Sequence, residues 1–376
     1  MYTGILRHLT GLYIIRKGFM LVKERVDSLR QLMPASRLDG VLAYSNENRR
    51  YLSGFTGSTG FVVIGKNIAG FITDFRYMEQ AAKQCNGFEI VIQSNNLMEK
   101  IAETLRKAGI RRLGIEEDFM TVGFCEDLKR ALPGIELLPA RSIFAKLRIT
   151  KDASEVESIR KAADIADEAF KQLLGYIKPG LRETEVALEL EYYMRKNGAS
   201  ATSFDSIVAS GVRSSLPHGV ASEKIIKTGE FLTLDFGCVY NGYCSDMTRT
   251  VFIGKAAEKH RRIYDIVLKA QVAALEGIKP GVTGKSVDRI ARDIISAEGF
   301  GEYFGHGLGH GVGLAVHEDP RLSVLGENIL EAGMIVTDEP GIYIPDFGGV
   351  RIEDLVLVTE KGAETLSKSP KELIEL

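Results

Sequence analysis

From residue 20 onward, short apolar runs of strand length alternate with segments whose apolar positions recur at helical spacing. Leu21–Met33 reads as an amphipathic helix and Gly40–Tyr44 as a buried strand. Strands at Phe61–Ile64 and Gly70–Thr73 follow, then a helix over Tyr77–Gln84 and a strand over Phe88–Gln93. A helix at Met98–Ala108, a strand at Leu113–Ile115, a helix near Phe124–Ala131 and a strand at Ile135–Leu138 complete the series. Such alternation predicts an α/β domain. Gly54, Gly57 and Gly60 form a loop that lacks the Lys-Ser/Thr of a phosphate-binding P-loop. From Ile149 a long charged helix opens a second domain, which places the domains at 1–145 and 146–376. Residues 1–19 are basic, but their longest apolar run, Leu12–Ile15, is too short for a signal-peptide core. They read as an upstream extension.

The most ordered pattern in the second domain is Phe231–Arg249, FLTLDFGCVYNGYCSDMTR. Two β-prone runs flank Asn241-Gly242, a pair that favours a two-residue type I′ turn. If Tyr240 pairs with Tyr243, Asp235 lies opposite Thr248, and Asp246 points to the same face as Asp235. The two carboxylates are then diagonal cross-strand neighbours, within ~7–8 Å at the backbone. Apolar flanks (Phe231, Leu232, Leu234 and Phe236 before, Val251, Phe252 and Ile253 after) make this a buried sheet, whose charges need partners. A solvated hairpin is the bland alternative; a metal ion between the carboxylates is the reading the flanks favour.

The second domain also repeats itself. Ile177–Gly180 (IKPG) recurs as Ile278–Gly281, and each copy precedes a helical segment ending on a glycine, Gly198 and Gly299. Gly229–Gly237 (GEFLTLDFG) is echoed by Gly333–Gly341 (GMIVTDEPG), which sets Asp235 against Glu339. Two matched blocks in one order imply two related halves, each ending a strand on a carboxylate. After Glu339 the chain returns through Gly349–Val358, where Glu353 is expected to play the part of Asp246, with Arg351 on the same face. Four carboxylates then converge. Three of the six histidines, His306, His310 and His317, fall within GHGLGHGVGLAVHE, too dense a cluster for structural histidines alone. Its glycines allow close backbone approach. His218 comes from the loop before the hairpin, whereas His8 and His260 read as surface residues.

Composition narrows the classes. The net charge of −2 offers no case for nucleic acid or an anionic membrane, and no apolar run approaches the length of a membrane span. Four cysteines without C-x-x-C spacing fit a reduced, cytoplasmic protein.

LPHG, LDFG, SDMTRT, HGLGHGVGLAVHE, EPGIY and VRIED together resemble the ordered motifs of the pita-bread metallopeptidases, in the branch of Xaa-Pro aminopeptidases and Xaa-Pro dipeptidases. NRRYLSGFTGSTG and TDFRYMEQA resemble the N-terminal domain of bacterial members, so the resemblance spans nearly the whole chain. It implies a creatinase/prolidase-like α/β N-terminal domain followed by an α+β pita-bread catalytic domain with a pseudo-two-fold repeat. It also implies two divalent ions held by Asp235, Asp246, His310, Glu339 and Glu353, with Asp246 and Glu353 bridging. His218, His306, His317 and Arg351 match the substrate-side residues, and Glu339 is the candidate for passing a proton to the leaving proline nitrogen. Four carboxylates among five ligands favour Mn²⁺ over Co²⁺ or Zn²⁺. Two adjacent cations would acidify a shared water towards a pKa of ~7 and so supply hydroxide. The implied activity is that of an Xaa-Pro aminopeptidase acting on short peptides with proline second, with an Xaa-Pro dipeptidase as the alternative; the implied assembly is a homodimer. Metal-free creatinase-like relatives and non-catalytic binding proteins on this fold lack the full ligand set. Methionine aminopeptidase shares it but resembles only the second domain. One residue departs from the family pattern: Asp338 stands at an apolar position, which the internal repeat fills with Leu234.

Overall fold

A computed structural model describes residues 22–376. Residues 1–19, with His8, lie outside the described residues. Two compact units meet in sequence between Ile149 and Thr150. The first is built on a six-stranded mixed sheet. Strands Gly40–Ala43, Phe61–Gly65 and Ala69–Asp74 run antiparallel at its centre, and the outer strands Glu89–Gln93, Arg112–Ile115 and Glu136–Pro139 join in parallel. The expected elements are present within a few residues. Two further helices, Asn46–Ser53 and Arg141–Arg148, are added. The first is set by Ser45, whose hydroxyl accepts from Asn48 N.

The second unit opens with the helix Ala153–Leu174, started by a capping box between Asp152 and Glu155. Its apolar stripe, including Ala162, Ala166, Phe170 and Leu173, packs with Val186, Leu190 and Met194 of the next helix against Leu232, Leu234 and Phe236 of the sheet. Both repeat halves are there. The helices Glu183–Lys196 and Gly284–Ala297 follow the two IKPG blocks. Gly180 and Gly281 have φ of 97° and 90°, and their N–H groups bond Ile226 O and Leu330 O, both at 2.9 Å.

The hairpin takes the expected register: Tyr240 pairs with Tyr243 and Asp235 with Thr248. Asn241 and Gly242 both take positive φ, 46° and 78°, as a type I′ turn requires. One expectation fails. In the second half Asp338 pairs with Asp354, as Leu234 pairs with Arg249 in the first. Asp354 is therefore the counterpart of Arg249, and Glu353 the counterpart of Thr248, not of Asp246. By the same register Arg351 corresponds to Asp246, so the second half places a guanidinium where the first places a carboxylate. Among the described residues, no helix is long and apolar enough to cross a membrane.

The paired IKPG turns give a test of the repeat. A Cβ on Gly180 or Gly281 would meet no atom within 4 Å, so only the backbone conformation resists a side chain. Gly180→Ala and Gly281→Ala should each cost about 1–2 kcal/mol, by similar amounts, in denaturant titrations. A loss confined to one of them would contradict the equivalence.

Candidate metal centre

Asp235 is the penultimate residue of the strand Glu230–Phe236, Asp246 precedes the strand Met247–Ile253, and Glu353 precedes Asp354–Thr359. One ligand oxygen from each of the three lies within 4.8 Å of the others, and all three residues are buried. Glu339 and His310 close the group: His310 Nε2 is 3.4 Å from Glu339 Oε1 and 3.7 Å from Asp246 Oδ2. The structure thus brings together all five residues that the sequence resemblance assigned to metal.

The glycines around His310 are there for space. A Cβ on Gly309 would fall 2.1 Å from Thr337 O, and one on Gly311 2.3 Å from Asp319 O. His310 can therefore sit on a strand pressed between Glu318–Leu322 and Ile335–Asp338. Its Nδ1 lies 3.1 Å from Gly311 O, which can only accept. The proton is thereby on Nδ1, and Nε2 presents a lone pair to the carboxylates. His306 is arranged alike, with Nδ1 donating to Gly307 O at 2.7 Å and Nε2 facing Tyr343 Oη at 2.8 Å.

Electrostatics show how these side chains act on one another. Burial, followed by the charges of Glu353 and Asp235, pushes the Asp246 carboxyl well above its usual range. Burial and then Glu339 do the same to Glu353, and burial also raises Glu339. Burial lowers His306, His310 and His317, which keeps these imidazoles neutral. Arg351 reaches the cluster through Asp235, at 2.5 Å from Nη2 to Oδ2. Asp235 Oδ1 is buried without a hydrogen-bond partner.

Arg351 is buried, and its donors are engaged by the protein. Nε bonds Thr248 Oγ1 at 2.9 Å, and Nη1 bonds Tyr343 Oη at 2.8 Å and Pro217 O at 3.2 Å. His317 lies beside His310, with ring centroids 4.2 Å apart, and His218 is exposed on its loop next to Pro217. His260, expected on the surface, is instead half-buried between the rings of Phe231, Phe252 and Phe347, because its helix begins over those strands.

Sequence reasoning missed three supporting residues. Tyr343 joins His306 to Arg351 and burial pushes its phenol up to about 12; its place in EPGIY was the available signal. Thr248 Oγ1 donates to Glu353 Oε2 at 2.6 Å. Thr337 Oγ1 donates to Glu339 Oε1 and accepts from His310 N, both at 3.0 Å. Both threonines lie two residues from a carboxylate on the same strand face.

Residues 157–360 match the model of metallopeptidase family M24, and residues 25–150 that of the creatinase/prolidase N-terminal domain. A solved Xaa-Pro dipeptidase from Bacillus anthracis superposes with a TM-score of 0.93 at 50% identity, over 95% of this chain and 100% of that one. An X-Pro aminopeptidase structure from Thermotoga maritima superposes with a TM-score of 0.86 at 36% identity, over 94% and 100%. The Xaa-Pro dipeptidase of Pyrococcus horikoshii is 42% identical over 94% of this chain and 99% of its own.

Asp338 is 0% exposed and points away from this cluster. Its Oδ2 accepts from Gln271 Nε2 at 3.2 Å, and Oδ1 has no partner. Burial, and then the neighbouring Asp354, hold its carboxyl well above the usual range. A folded-state pKa above the unfolded value of ~3.9 gives stability that is full below that pH and is lost as pH rises through the folded value. Asp338→Val should therefore gain thermal stability relative to the parent as pH is raised from 5 to 8, with activity kept. A variant less stable at pH 8, or one that loses metal, would contradict this placement.

Proposed function

Because the chain belongs to metallopeptidase family M24, we propose that it is a dinuclear metal-dependent exopeptidase that hydrolyses the bond between an N-terminal residue and a following proline. The observation that carries this reading is the five-residue cluster of the buried Asp235, Asp246 and Glu353 with the half-buried His310 and Glu339. Its donor set fits a pair of divalent ions. Three carboxyl groups are raised by burial and by neighbouring carboxylates, Asp235 Oδ1 is unpartnered, and a neutral imidazole offers its lone pair. Oxygen-rich ligands suit a hard ion, and Mn²⁺ is our assignment. When bound, such ions supply Lewis-acid polarisation of a carbonyl and an acidified water.

The chain's own residues divide the remaining work. Glu339, oriented by the hydroxyl of Thr337, is assigned to pass a proton to the leaving proline nitrogen. His218 or His317 donates to the oxygen of the carbonyl under attack, where negative charge develops. Arg351, with four protein contacts, fixes Asp235, Tyr343 and Pro217 and is assigned to hold the substrate side in place. A prolyl amide has no N–H to offer, so its recognition falls to the shape of the cleft.

The stronger likeness to a dipeptidase, 50% against 36% identity to an aminopeptidase, favours an Xaa-Pro dipeptidase. The aminopeptidase expected from the sequence is the second reading, supported by the likeness to the Thermotoga maritima structure over 94% of the chain. Short peptides with proline second are the substrates in both, and a homodimer is the assembly we assign. The Mn²⁺-loaded protein should cleave Ala-Pro faster than Ala-Pro-Ala. The reverse order would make it an aminopeptidase, and rapid cleavage of Met-Ala-Ser would overturn the proline assignment.

A further inference from the structure

The loop that presents His218 is tied at both ends to one carboxylate. Glu183 opens the helix Glu183–Lys196 and is 0% exposed. Its Oε1 accepts from Ser210 N at 2.7 Å and Ser210 Oγ at 2.8 Å. Its Oε2 accepts from Arg213 Nε at 2.9 Å, Ser222 N at 3.1 Å and Ser222 Oγ at 2.6 Å. Arg213 then donates through Nη2 to Val220 O at 2.6 Å. Leu216, His218 and Val220 at the tip are exposed, so the tip itself has little packing to fix it. Together with the β-bridge between Val220 and Ile207, this clamp and the bond from Arg351 to Pro217 O set its outward reach.

The second half does the same for His306. Asp288, 1% exposed, takes a two-pronged bond from Arg292, Nε to Oδ2 and Nη2 to Oδ1, both at 2.9 Å. Leu308 N also donates to Asp288 Oδ1, at 3.0 Å. Arg292 bonds Phe304 O at 2.9 Å and His306 O at 2.7 Å. Counted from the IKPG blocks, the counterpart of Glu183 is Gly284, where a Cβ would lie 2.1 Å from Arg321 O. No side chain fits there. Asp288 stands four residues on, one turn along the same helix face. Each half thus solves the same problem, an exposed or half-buried histidine on a loop, with a buried carboxylate and an arginine from the same region.

We propose that Glu183 with Arg213, and Asp288 with Arg292, are positioning residues that hold His218 and His306 in their working places. Neither carboxylate touches the metal cluster, and both act through the loop backbone. The inference rests on the assignment of His218 to the substrate, and the test separates the two. Glu183→Gln, His218→Ala and the double variant are compared with the parent by kcat/KM on Ala-Pro, with bound metal and thermal midpoint measured alongside. Glu183→Gln should keep two ions per chain and lose roughly 10–100-fold in kcat/KM, the usual size for residues that orient a site's side chains. The double variant should match His218→Ala within about threefold, because a clamp has nothing left to position. A purely structural role would not produce that non-additivity. Losses that multiply overturn the clamp alone; full activity in His218→Ala overturns both the clamp and the assignment beneath it. Should Glu183→Gln fail to fold, Arg213→Gln runs the same cycle, since that side chain is 27% exposed and tolerates change better.

Discussion

Four carboxylates pressed against one another, three buried and one half-buried, are the constraint on which the second unit is organised. Asp235, Asp246, Glu339 and Glu353 come from two halves of one repeat and converge where water is largely excluded. In such a place like charges repel strongly, and Asp246, Glu339 and Glu353 resist ionising. Arg351 offsets part of this through Asp235, and neutral His310 adds a lone pair but no charge. The rest of the compensation must come from outside the chain, as the family assignment requires of divalent ions.

The repeat explains how so unfavourable a cluster can be assembled. Counterpart residues bond across the junction of the halves: Arg249 Nη2 to Asp354 Oδ1 at 2.8 Å, and Thr248 Oγ1 to Glu353 Oε2 at 2.6 Å. Glu353 N also donates to Thr248 O at 3.1 Å. These contacts join the two strand pairs beside the carboxylates. Duplication also freed the halves to diverge. One keeps Asp246 while the other places Arg351, and one keeps Leu234 while the other carries Asp338.

Much of this was legible in the sequence, for physical reasons that differ from residue to residue. Strand periodicity and an Asn-Gly turn fix register locally, so the facing of Asp235 and Asp246 could be read directly. Order of residues alone sets Glu353 against Asp246, but the longer return after Glu339 shifts the pairing. The helices Asn46–Ser53 and Arg141–Arg148 have eight residues each, a short window in which to detect helical periodicity. Glu183 and Asp288 were invisible because, Arg292 apart, their partners lie 20 to 39 residues away in sequence. His260 looked polar and proved to be aromatic packing.

The central claim is that mutual repulsion makes the empty cluster hold protons that divalent ions replace. Proton release on Mn²⁺ binding, followed at pH 7 by calorimetry in buffers of different ionisation enthalpy, measures this directly. The account predicts two ions per chain, with at least about one proton released as Asp246, Glu339 and Glu353 ionise. Binding of two ions with no release, or saturation without binding at this cluster, would contradict it.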